Sequence, residues 1–141
     1  MEPLTLEGLA DEALLLIDTP PIIYIFEGHP KFASRFRPVF EANAAGRVRL
    51  AVSTISIAEV LAGPLKAGDE ALARRYRSVL ESWQVVPLAA GIAESATRLR
   101  ASLGLKLADA VQAASALAIN AAALVTHDRD FGRLRSLRII S

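Results

Sequence analysis

LLLIDTPPIIYIFEGHP, residues 14–30, runs four apolar side chains into a carboxylate, Asp18, and then into two prolines. An unbroken apolar run of this length, with no polar alternation, reads as a short strand over 13–17 buried on both faces, as in a parallel sheet. Pro20 and Pro21 suit a first helical turn, where a missing N–H costs nothing, and Gly28 and Pro30 end the helix they begin. The stretch is therefore strand, acid, helix. In open α/β sheets that junction lies on the ligand-binding edge.

The same alternation continues outward. Further strands are expected over 48–52, 85–87, 122–125 and near 138–140, the one over 85–87 at an edge because Pro87 cannot donate to a ladder. Helices are expected over 31–44, 56–62, 69–83, 89–102 and 107–119, with Gly63-Pro64 closing the second of these. The fold class that follows is α/β: a three-layer sandwich with a central parallel sheet of about five strands flanked by helices. No repeat, linker or low-complexity segment divides the 141 residues, so they read as a single domain over 1–141, with residues 1–13 an N-terminal extension.

Composition removes several kinds of chemistry. There is no cysteine, which excludes disulfides, zinc-thiolate sites and cysteine nucleophiles. Residues 1–13 carry acids where a signal peptide has a basic start, and residues 110–126, the longest uncharged run, are Ala-rich and interrupted by Gln112, Ser115 and Asn120. A soluble, cytoplasmic protein with no membrane association is the expectation. The net charge of +1 identifies no partner by itself.

Four acids occupy related places: Asp18 after the first strand, Glu59 in the helix after the second, Asp109 opening the helix before the fourth, and Asp128 just after the fourth. Each has an ordinary explanation. Ser56 and Glu59 have capping-box spacing, Asp109 suits the first turn of a helix dipole, and Asp18 and Asp128 could be turn or N-cap residues. Together they converge, because parallel strands align their C-terminal ends and the short turn at Asn120 and Ala121 brings Asp109 to the same edge. Four gathered carboxylates repel one another unless a cation compensates, and oxygen-only ligands suit Mg²⁺ or Mn²⁺.

The segments IDT followed by IIY and EGHP, STISIAEVLAGP around Glu59, LKLADAVQAASAL around Asp109 and VTHDRDF around Asp128 resemble, in order and spacing, the PIN-domain nucleases. Among these the chain is most similar to the short prokaryotic toxins of VapC type, from Leu14 to the C-terminus. The resemblance implies that Asp18, Glu59, Asp109 and Asp128 form a catalytic metal site, with Thr19 and Thr126 as polar supports. It also implies RNA as substrate, a cognate antitoxin as partner, and a homodimer. The chain departs from the family at His127, where Asn is common, and at Leu107-Ala108, where Thr-Pro is frequent.

Around this frame, Asp130 could add a further carboxylate to the metal or cap the turn into 131–134. His127 and His29 read as satisfied or solvated side chains rather than catalytic ones, and Trp83 and Tyr76 as packing residues. Ala110, Ala113, Ala114, Leu117 and Ala118 read as a small-residue face for close packing. Setting four of the 15 acids aside leaves 11 against 16 basic residues, and Arg129, Arg133, Arg135 and Arg138, which follow Asp128, could grip phosphate. The chemistry inferred is metal-assisted hydrolysis, leaving a 5′-phosphate and a 3′-OH. A receiver domain would need a Lys after its last strand, and a haloacid-dehalogenase-type phosphatase an Asp two residues after the first. Neither is present. An inactive RNA- or protein-binding module and a housekeeping RNA-processing nuclease are the remaining alternatives.

Overall fold

Buried on both faces, the apolar run after Glu12 forms the middle strand of the molecule. The structure, a computed structural model, describes residues 2–141. Its strands are β1 (Ala13–Ile17), β2 (Val48–Ser53), β3 (Gln84–Val86), β4 (Ala123–Val125) and β5 (Ile139–Ile140). They form one sheet in the order β3-β2-β1-β4-β5, and every neighbouring pair is parallel. Leu15, Leu16 and Ile17 are inaccessible to solvent. Burial of that completeness stabilises by about 1.5–3 kcal/mol per side chain.

Alternate residues of each strand point to opposite faces and separate the helices into two layers. Leu15, Ile17, Leu50, Val52 and Val125 pack with Ile22 of α1 (Thr19–Glu27), Phe36 of α2 (Ala33–Ala44), Val60 of α3 (Thr54–Lys66) and Leu80 of α4 (Glu70–Glu81). Leu14, Leu16, Ala51 and Leu124 face the other way, toward Ile92 and Leu99 of α5 (Ala90–Leu103), Ala113 and Ala116 of α6 (Leu107–Ala118), and Phe131. The expected three-layer α/β sandwich is the fold observed. Among the described residues no helix is long and apolar enough to cross a membrane.

The chain moves from β1 outward to β2 and β3, then returns past β1 to β4 and β5. Right-handed crossovers put the helices of the outward path on one face and those of the return on the other. β1 and β4 are thus adjacent strands whose chains depart in opposite directions, and the loops after them border the crevice where such sheets bind ligands. Asn120, with φ of 52°, makes the tight turn that lets α6 run antiparallel to β4. Asn tolerates this left-handed conformation better than most residues.

Three local expectations are corrected. α3 begins at Thr54 with Ser53 as its N-cap, Ser53 Oγ accepting from Ile55 N, so Ser56 and Glu59 form no capping box. Nor do Gly63 and Pro64 end that helix. It continues to Lys66, because Pro64 forfeits only its own N–H and Ala67 N still donates to Gly63 O. On the Ala-rich helix Ala110, Ala113 and Ala114 are buried, whereas Leu117 is half-buried and Ala118 exposed, the two bordering an open cavity with Ser95, Arg98 and Ser102 of α5.

The N-terminal segment is held against the domain. Leu4 is 8% exposed and joins the core beside Leu6 and Leu9, Leu4 N donates to Arg35 O, and Glu12 N to Arg47 O. Leu4→Ala should lower stability by about 2 kcal/mol, the low end for a leucine truncation, while leaving divalent-ion affinity unchanged. Chemical denaturation and calorimetric titration of the variant check both.

Candidate metal centre

Asp18 ends β1, and its position is fixed from three sides. Asp18 N donates to Val125 O across the sheet (2.8 Å), Oδ1 accepts from Thr19 N (2.8 Å), and Oδ2 accepts from Thr126 Oγ1 (2.7 Å). It is 5% exposed. Burial pushes its carboxyl above the ordinary range, opposed by the bonds from Thr126 and Thr19 and reinforced by the nearby charges of Glu59 and Asp128.

Thr126, fully buried at the end of β4, also accepts from Asp128 N (3.0 Å). Asp128 Oδ1 in turn accepts from Asp130 N (2.8 Å) as the N-cap of a 3₁₀ turn over Arg129–Arg133. One hydroxyl therefore couples the carboxylate after β1 to the loop after β4. Asp128, not Asp130, caps this turn.

Asp109 sits in the first turn of α6, which has no side-chain cap of its own. Oxygen atoms of Asp109, Asp128 and Asp130 lie within 4.8 Å of one another. Asp109 Oδ2 is buried and without a hydrogen-bond partner. Its carboxyl is pushed up to about 7, first by burial, then by the charge and close approach of Asp128 and by the charges of Asp18 and Asp130. Glu59, on an exposed part of α3, accepts from Thr19 Oγ1 through Oε1 (2.9 Å). It lies outside the tight three-acid group.

Among the described residues, no ion pair joins any of these five acids to a basic side chain; the pairs formed are Arg77 with Glu81 and Arg98 with Glu94, both on the surface. Without a cation, the crowding is met by the proton that Asp109 retains. A crowded, oxygen-only donor set with one orphaned buried oxygen fits a hard divalent cation.

His127 is a partnered side chain, Nδ1 lying 2.8 Å from Tyr24 Oη. Burial, with Arg35 and Arg129 nearby, holds its pKa below the usual imidazole value. Phe32 and Phe36 meet its ring edge-on, and His29 stacks on Phe32. The residues of this aromatic group are dispersed between 24 and 127, so no spacing in the sequence announces it. Trp83 and Tyr76 pack around Phe26, as expected. Arg129 and Arg133, the two ends of the 3₁₀ turn, and Arg135 just after it are exposed. Arg138 instead donates to Glu7 O (2.8 Å) and anchors the N-terminal segment.

Residues 15–137 match the PIN domain family. The structure is similar to a toxin-antitoxin complex from Klebsiella pneumoniae, with TM-score 0.71 and 27% identity over 90% of this chain and 96% of that one. It is also similar to VapBC-1 from nontypeable Haemophilus influenzae, with TM-score 0.68 and 25% identity over 89% and 96%. The fold of Mycobacterium tuberculosis VapC20, a sarcin-ricin loop cleaving toxin, is shared at TM-score 0.67 and 14% identity over 84% and 92%. A search of curated proteins by sequence found no match. With 123 consecutive positions matched and the acids gathered at the C-terminal edge of a parallel sheet, this chain belongs to the PIN domain family.

Proposed function

We propose that this protein is a divalent-metal-dependent endoribonuclease and the toxin of a toxin-antitoxin pair. The observation that carries the catalytic reading is the group of Asp109, Asp128 and Asp130, whose oxygens approach within 4.8 Å with no basic side chain paired to them among the described residues. Those three, with Asp18 and Glu59 beside them, would hold Mg²⁺ or Mn²⁺. Bound there, the ion supplies Lewis-acid stabilisation of the scissile phosphate and a water activated at neutral pH.

The rest is the work of the chain. Thr126 and the Thr19 N–H hold the Asp18 carboxylate in one orientation, so no rotamer search precedes ligand binding. The exposed Arg129, between Asp128 and Asp130 in the chain, with Arg133 and Arg135 after it, would supply cations for the RNA backbone, drawing a polyanion toward an otherwise negative crevice. A cognate antitoxin and a homodimeric state follow from the VapC-type resemblance, and the antitoxin also from the toxin-antitoxin complexes among the similar structures.

Purified protein should cleave single-stranded RNA in Mn²⁺ or Mg²⁺, yield 5′-phosphate and 3′-OH ends, and stop when EDTA is in excess. Cleavage that persists in EDTA, or ends bearing a 2′,3′-cyclic phosphate, would refute metal-assisted water attack. RNA binding without cleavage in either metal would instead identify an inactive module. Expression alone should arrest growth, with relief by the partner encoded beside it.

A further inference from the structure

Gln112 lies one turn after Asp109 on α6 and is 1% exposed, a long amide within a helix whose other buried residues are small or apolar. Burying an amide is costly unless it is hydrogen-bonded. Gln112 Nε2 donates to Ser56 Oγ (2.6 Å), while Oε1 has no partner. Ser56, fully buried on α3, lies 2.8 Å from Thr19 Oγ1, and Thr19 Oγ1 lies 2.9 Å from Glu59 Oε1.

Counting protons gives these contacts one direction. A carboxylate has none, so Thr19 must spend its single hydroxyl proton on Glu59. Ser56 must then spend its own on Thr19, and the contact to Gln112 is a hydrogen bond only if the amide NH₂ faces Ser56. The reverse amide orientation would place two lone pairs against each other somewhere along the chain. Gln112 is the only donor at its head.

We infer that Gln112 is a positioning residue, acting through Ser56 and Thr19 to hold Glu59 toward the metal centre. The chain of bonds joins α6, α3 and α1, the helices that carry Asp109 and Glu59 and follow Asp18. Without the amide, the Ser56 hydroxyl can turn to a carbonyl of its own helix and the Thr19 proton can turn to Ser56. Glu59, on an exposed stretch, is then released to other rotamers. This inference rests on the metal-centre reading above.

Gln112→Leu conserves volume and removes the orphaned oxygen, so it separates positioning from stability. Expected in EDTA is a melting temperature at or above that of wild type. Calorimetric titration of Mn²⁺ into the metal-free protein should show about tenfold weaker binding, the scale on which residues orienting a ligand act. Ser56→Ala should weaken Mn²⁺ binding similarly, and the double variant no further than either single one, as for links of one chain. Wild-type Mn²⁺ affinity in Gln112→Leu, or losses that add in the double variant, would overturn the inference while leaving the metal centre intact. Failure of wild type to bind Mn²⁺ would overturn both.

Discussion

Asp128→Asn and Asp109→Asn should each slow Mn²⁺-dependent RNA cleavage by at least ~100-fold, since outer residues that merely orient ligands already account for 10- to 100-fold. The two substitutions are clean for different reasons. In Asp128→Asn the side chain keeps an Oδ1 able to accept from the Asp130 N–H, and Asn caps a helical turn as well as Asp does, so the loop keeps its shape while the charge is lost. At Asp109 the amide removes the charge crowded against Asp128 while its NH₂ can still donate to that neighbour, and Oδ2 has no partner to lose among the described residues. Asp18→Asn is the poorer test. Both Asp18 oxygens accept, from Thr19 N and Thr126 Oγ1, and an NH₂ in place of either would face a donor. Single-turnover cleavage of a labelled RNA measures the effect, and near wild-type rates in both clean variants would remove these acids from the reaction.

The metal-free protein should become less stable as pH rises through neutrality, and Asp109→Asn should abolish much of that loss. In the fold Asp109 holds its proton up to about pH 7, against an unfolded value of about 3.9. A raised folded pKa stabilises fully below the unfolded pKa and ceases to do so as pH climbs past the folded one. The difference in melting temperature between Asp109→Asn and wild type in EDTA should therefore be constant below about pH 4 and widen in favour of the variant up to about pH 8. Solvent reaches part of this carboxyl, so the effect is discounted to about 2 kcal/mol, or roughly 5 °C for a chain of this length. Added Mn²⁺ should then stabilise wild type by about 2.7 kcal/mol at a hundred times its Kd and the variant far less. A gap independent of pH, with the variant melting lower in EDTA, would make Asp109 a helix-terminus anion and nothing more.

These outcomes also decide how the acids read in the sequence. Asp18 and Asp128 each accept a backbone N–H beside a helical turn, so the capping explanation and the metal explanation describe the same side chains. Glu59 and Asp109 cap nothing. For Glu59 the capping-box spacing with Ser56 is not realised, because α3 starts at Thr54 with Ser53 as its cap, which leaves Ser56 within the first turn. There Ser56 faces inward, to Thr19 and Gln112.

The order of strands and helices, the parallel sheet and the delivery of four acids to one edge were legible in the chain alone. Apolar runs, prolines and glycines act over a few residues, and a strand-end acid is carried wherever its strand goes. What only the tertiary structure decided is which groups share protons. Thr126 reaches Asp18 across 108 positions, Gln112 reaches Ser56 across 56, and Asp130 joins Asp109 in one cluster with Asp128. Such partnerships form or fail on differences of a few tenths of an ångström, set by how whole helices pack on the sheet, and no local preference in the sequence encodes a distance so fine.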